Sequence, residues 1–407
     1  MDFHLSRWIK ISIFNLLLVS AIGVTLRYKI LYALPFIDQK YLLHGHSHFA
    51  FSGWVTQTLM VLMIAFLYNK GINNVFNTYK GLLAANLLTA YGMLIAFPIQ
   101  GYGAISIAFS TLSIFVSYFF TIKFWRDLNR LTDKSIAHYW FKAAIVFNAI
   151  SSVGTFGLAY MMSNKIVHQN WYLGSVYFYL HFQYNGWFFF VCMGLLYDKL
   201  IMMKKISERE LNIIFWMFAA SCIPAYFLSA LWMPIPVWVF IIVVIASLAQ
   251  FIAWLWLVKI ILPFIKQFTI HLTPLSKWLL ALSSLALSIK LFLQLGSTIP
   301  SLSQLAFGFR PIVIAYLHLV LLGVITIFLL GFILSYTYLH ENKLMKTGVI
   351  IFVSGIFLNE LVLMLQGITA LSYVIIPLTN ELLLAMGLIM FSGICMILIS
   401  QLRIFKK

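Results

Sequence analysis

Apolar residues run along this chain in long blocks with no strand-like alternation and no one-sided helical stripe, the pattern of helices that meet lipid or protein on every side. The blocks fall at 11–34, 42–68, 79–98, 102–124, 140–163 and 171–198, then at 211–232, 236–260, 275–295, 311–338, 347–367 and 376–402. A membrane-crossing helix needs about 20 mostly apolar residues. The pattern therefore predicts an all-α polytopic membrane protein of about twelve transmembrane helices. Some blocks nearly touch, as between Pro98 and Tyr102 and between Trp232 and Pro236. No gap has room for a soluble domain, so residues 1–407 are read as one integral membrane domain. The first block follows Lys10, lacks a small-residue cleavage site and exceeds a signal-peptide core, so it is expected to stay as span 1.

Composition agrees with this pattern. Hydrophobic residues make up 63% of the chain and charged residues 9%, whereas a soluble domain carries roughly 25% charged residues. The net charge of +17 would suit nucleic acid, but the positions of the basic residues explain it otherwise. With the N-terminus inside, the outer segments hold only Arg27, Lys29, Lys40, Lys165, Lys290 and Arg310, and the other 21 of the 27 basic residues fall inside. That asymmetry follows the positive-inside rule and predicts both termini on the cytoplasmic side. The bilayer is then the expected partner, with no role for nucleic acid. Cys192, Cys222 and Cys395 lie in apolar blocks without metal or disulfide spacing.

Ionisable side chains inside a membrane mark function more often than those of a soluble core. His4, His138, His168, His271 and His340 are placed in loops or at helix ends and set aside. His44, His46 and His48 open the second block in LLHGHSHFAFSGW, His181 sits in the sixth in YFYLHFQYNGWFFF, and His318 in the tenth in IAYLHLVLLGV. All three blocks begin outside in this topology. Counted from Lys40, Trp171 and Arg310, the histidines His48, His181 and His318 come to a common depth, about 12–15 Å at 1.5 Å per residue. Imidazoles on facing helices at equal depth can clamp a heme iron. His44 and His48 are spaced i, i+4 and share a face, while His46 points elsewhere. His48 is the preferred ligand because His44 is nearly at the helix mouth.

At these residues the chain resembles the heme-copper oxidase catalytic subunit superfamily, and in particular its divergent twelve-helix members of the NnrS type. The segment His46 to Trp54 is similar to the helix 2 motif of those members, and Ala315 to Val324 to the family's helix 10 segment. The resemblance covers the chain by span order and about thirty residues by motif. It implies heme b, one and low-spin, on His48 and His318, with His44 and His46 nearby, and His181 in the place of a copper ligand. It also implies a bacterial inner (plasma) membrane location, a role in respiration or nitric oxide handling, and partnership with other respiratory subunits or an electron donor. Arg27, Lys40 and Arg310 would pair with heme propionates.

The chain departs from the family where dioxygen would be reduced. Tyr316 stands at the high-spin heme ligand, and the seventh block, IPAYFLSALWMPIPVW, has no histidine. Copper keeps one ligand of three, so an oxygen-reducing centre is not expected. Two other readings remain. A proton-coupled secondary transporter would use Glu360, Glu381 or His181, although no motif repeats between the halves and no matched pair of broken helices is evident. A structural or assembly subunit would carry no cofactor. Gln183, Tyr184 and Asn185 beside His181 are read as lining a small polar pocket.

Overall fold

The computed structural model describes residues 3–132, 134–202, 206–303, 310–336, 338–371, 374 and 376–402. Every apolar block becomes helix, and no strand occurs among the described residues. The elements are α1 (Phe3–Leu31), α2 (Gln39–Phe49), α3 (Gln57–Asn69), α4 (Val75–Gln100), α5 (Ala104–Arg130), α6 (Ile136–Ser163), α7 (Gln169–His181) and α8 (Phe189–Ile201). There follow α9 (Glu208–Cys222), α10 (Val237–Ile261), α11 (Ile265–Thr269), α12 (Pro274–Gly296), α13 (Arg310–His318), α14 (Ile327–Ser335), α15 (Lys343–Leu371) and α16 (Thr379–Leu402). Three π segments, Ala50–Thr56, Phe182–Phe188 and Leu319–Thr326, join α2 to α3, α7 to α8 and α13 to α14 into continuous rods.

Ten of the described helices are long and apolar enough to cross a membrane, or eleven when the broken span formed by α9 and the 3-10 turn Pro224–Ala230 is counted. That span, read from sequence as one run over 211–232, bends by 46° at its break. Pro224 supplies the physical reason, because its ring removes a backbone donor and crowds the preceding turn. The rod from Gln169 to Ile201 is continuous but less apolar, with His181, Gln183 and Asn185 in its middle. Helices also outrun their apolar blocks, as α1 does by including Arg7 and Lys10. Lys204, Lys205, Arg403, Lys406 and Lys407, counted on the inner side above, lie outside the described residues.

The chain forms two compact units. The first comprises Met1–Phe120, Thr273–Leu280 and Thr326–Lys407. Within it α1 packs on α16 and on α2, α2 lies on α4, and α15 runs tightly along α16. The α15–α16 approach depends on missing side chains, since a Cβ on Gly393 would stand 2.6 Å from the Phe352 backbone nitrogen and one on Gly348 2.8 Å from the Gly393 oxygen. Lipid tails are as apolar as leucine, so helices in a bilayer associate through such close backbone contact and through hydrogen bonds. Gln401 adds the latter, donating to the His340 carbonyl at 3.0 Å and accepting from its N–H at 3.1 Å.

The second unit comprises Thr121–Leu272 and Ala281–Ile325. Here α6 packs along α7, α8 and the π segment between them, and α9 lies against α10. Gly154 lets α6 approach α7, where a Cβ would come within 2.5 Å of the Ser175 oxygen. Below that contact the buried Trp140 ring is surrounded by Phe189, Phe190, Tyr197, Phe215 and Phe218. Of the histidines set aside as helix-end residues, His138 caps α6 with Ser135 and His168 caps α7 by accepting from the Trp171 N–H.

Two glycine substitutions test this packing. Gly393→Val should destabilise the protein by about 1–3 kcal/mol, the usual cost of overpacking, whereas exposed Gly81 meets nothing within 4 Å of an added Cβ. Gly81→Ala should therefore raise stability by about 0.5–1 kcal/mol through helix propensity. Unfolding midpoints of the two variants in one detergent give the signs directly.

Candidate functional site

The histidines singled out by sequence share a structural position. His48 is one residue before the end of α2, His181 ends α7 and His318 ends α13, and each is followed by a π segment. The surrounding sequences also repeat: HFAFSGW from His48, HFQYNGW from His181 and HLVLLGV from His318, about a third of the chain apart. The sequence reading missed this because it compared halves, and the repeat is threefold. A π turn holds one residue more than an α turn and is often found at functional sites.

Such a turn leaves backbone carbonyls poorly paired inside the α ladder, and lipid offers no water to satisfy them. Neighbouring side chains do so. At the first π segment Asn15 Nδ2 donates to the Gly53 oxygen at 2.6 Å and Asn86 Nδ2 to the Ser52 oxygen at 3.1 Å. The fully buried Asn15 also accepts from Tyr91 Oη at 2.7 Å. At the third π segment Ser283 Oγ donates to the Val324 oxygen at 2.8 Å. Trp54 Nε1 donates to Thr326 Oγ1 at 2.9 Å, tying the first π segment to the last residue of the third within the first unit.

The face shared by His44 and His48 is the expected one. The His48 ring stacks on Phe97 at 4.3 Å and 9°, and the His44 ring meets Tyr102 edge-on at 4.6 Å. Tyr102 is brought there by Gly101, whose φ of +57° ends α4 and whose missing Cβ leaves room for the Tyr41 ring. His46 points the other way, its ring reaching the Val19 backbone of α1 and lying against Gly23. No hydrogen bond to the His48 ring occurs among the described residues, and the buried Nε2 of His44 and Nδ1 of His46 have no hydrogen-bond partner there. Arg27, half-buried near the end of α1, acts electrostatically on both His46 and Glu360. Asn359 Nδ2 donates to Glu360 Oε1 at 3.1 Å, while Glu381 is exposed at the start of α16.

His181 and His318 belong to the second unit. His181 is 1% exposed with both ring nitrogens in use. Its Nε2 lies 2.8 Å from the Cys222 carbonyl oxygen, which only accepts, so Nε2 carries the proton and Nδ1 accepts from Asn185 Nδ2 at 3.1 Å. A copper ion on His181 would have to displace one of these bonds. Gln183, Tyr184 and Asn185 do not line one pocket together, because successive residues of a helical rod point in different directions. Gln183 donates to Asn148 Oδ1 and Ser151 Oγ, Asn185 joins His181, and Tyr184 meets Tyr316 edge-on at 6.5 Å. Arg310 is exposed at the start of α13, and Lys40 is exposed in the first turn of α2. Lys290, counted above among the outer residues, lies within α12 and is buried at 6% exposure. Among the described residues no three His, Cys, Asp or Glu side chains gather closely enough to hold a bare metal ion.

Replacing Asn15 with leucine removes the partner of both the Gly53 carbonyl and the Tyr91 hydroxyl. Leaving a buried polar group unpaired costs about 1–3 kcal/mol, so Asn15→Leu should lower the unfolding midpoint more than Ser52→Ala, whose hydroxyl bonds the His48 carbonyl of its own rod.

In sequence comparisons no protein-family model matches this chain and no curated protein is similar to it.

Proposed function

We propose that this chain is a heme-binding integral membrane protein resembling a degenerate heme-copper oxidase catalytic subunit, with one low-spin heme b held axially by His48 and His318. It would cross the bacterial plasma membrane twelve times, with both termini cytoplasmic, and serve respiration or nitric oxide handling beside an electron donor. The observation that carries this reading is the histidine followed by a π segment, a local arrangement that recurs in three rods. The donor set also fits in part. His48 offers ring nitrogens that make no hydrogen bond among the described residues and a ring oriented by stacking on Phe97. A bound heme would supply one-electron chemistry and, on loss of an axial ligand, a site for a small gas.

The residues of the chain would fix the imidazole and place charge. Phe97 and Tyr102 hold His48 and His44 in an aromatic setting that orients both rings. Arg27 provides a cation for a propionate, at the cost of competition with Glu360. The two bonds to the His181 ring support leaving it out of the heme and argue against a firmly held copper.

A proton-coupled carrier is the second reading, favoured by the placement of Arg27 beside Glu360 within the helical bundle of the first unit. An optical spectrum distinguishes the two. The purified protein should show a Soret band that shifts on reduction, with equimolar heme b; His48→Ala and His318→Ala should abolish it, and His181→Ala should leave it in place. A protein that remains colourless after expression with added heme, or a spectrum indifferent to His48 and His318, would sink the heme reading. Orientation is checked separately with reporter fusions after Lys407 and within residues 164–168. Opposite sides are expected, and same-side results would overturn the twelve-span count.

A further inference from the structure

Lys290 lies in the interior of the second unit, where its Nζ donates to Gln294 Oε1 at 2.6 Å. Gln294 Nε2 in turn donates to Gln250 Oε1 of α10 at 2.7 Å. Gln250 and Gln294 are as deeply buried as the lysine, at 5% and 6% exposure. The lysine sets the direction of this chain of bonds. An ammonium has three donors and no acceptor, so Gln294 must turn its oxygen towards it and its NH2 towards Gln250. Gln250 must then give its own oxygen to Gln294, which leaves only its NH2 for anything beyond.

Beyond lies a small cavity, with room for about one water-sized particle. Asn185, Gln250 and Lys290 supply its polar lining, and phenylalanine and leucine side chains make up the rest. Asn185 has one amide hydrogen on His181 Nδ1 and another unused by that bond. Three rods thus present N–H donors to one space. Among the described residues no carboxylate forms an ion pair with Lys290, and the titratable groups that act on it, Cys222 and His181, carry no negative charge in their ordinary states.

We propose that this cavity binds a small monovalent anion of chloride's size, with the Lys290 ammonium as countercharge and the Gln250 and Asn185 amides as further donors. A buried ammonium requires a compensating charge or must surrender its proton. The chain of bonds set by the lysine leaves Gln250 its NH2 for the cavity, a donor beside the ammonium, which selects against a cation. Room for about one water-sized particle matches a single halide ion more closely than phosphate or an organic carboxylate. All of these residues belong to one unit, and none is used by the proposed heme, so the inference stands apart from that reading.

The test is the unfolding midpoint of the purified full chain in detergent at constant ionic strength, with gluconate replaced stepwise by chloride or bromide. The wild type should rise along a saturable curve with either halide. Lys290→Met, a near-isosteric apolar replacement, should bind more than tenfold more weakly, and Gln250→Leu several-fold more weakly. Equal midpoints for the wild type in gluconate and halide would overturn the proposal, as would an unchanged halide curve in Lys290→Met. Should that variant fail to fold, the wild-type curve and Gln250→Leu still decide. Loss of heme from the preparation would shift the midpoints in gluconate and halide alike and leave their difference in place, so failure of one reading is separable from failure of the other.

Discussion

In a bilayer each backbone N–H and C=O must find its partner inside the protein, because hydrocarbon offers none. Uninterrupted α-helices meet that demand unaided, and much of this chain obeys it so simply that its helices can be drawn from apolar runs. The first and third π segments receive help from other helices, through Asn15 and Asn86 in the first unit and Ser283 in the second. These buried polar side chains bond the backbone at two of the three π segments, each next to a histidine. That arrangement couples local helix geometry to tertiary packing: at these two turns the neighbouring helix brings an amide or a hydroxyl to the widened backbone.

Helices and their rough limits were legible in the sequence because apolar blocks of spanning length report directly on the solvent they require. The shared face of His44 and His48 was legible too, since i, i+4 spacing fixes it whatever the tertiary fold. What the chain did not disclose was the winding of the rods. No composition rule distinguishes a π turn from an α turn in AFSGWVT, and the distinction rests on Asn15 and Asn86, which come from other helices. The polar trio after His181 misled for a related reason: adjacency in sequence placed Gln183, Tyr184 and Asn185 together, and helical rotation sent them to three different neighbours.

Lys290 shows the limit of reading charge as topology. Counting basic residues treats each as a loop anchor, which holds for exposed residues such as Lys40 but fails for a lysine turned into the second unit and bonded to Gln294. A lysine near a helix end can snorkel to the surface or turn inward, and only the glutamines on α12 and α10 decide between them here. The same glutamines, unremarkable within apolar blocks, had no periodicity or motif to make them visible.

The three π segments also bear on how this protein can change over generations. A π turn holds one residue more than an α turn, so deleting one residue between His48 and Gln57 would restore an ordinary helix, remove the widened turn beside His48 and leave the rod downstream aimed as before. Point replacements meet a different limit: within AFSGWVT a Cβ on Gly53 would stand 2.5 Å from the Phe49 ring, and Trp54 is tied to Thr326. The extra residue thus shapes the turn beside the histidine and can be gained or lost without re-aiming the rod, whereas the small and aromatic residues that fill the first of these turns are fixed by their neighbours.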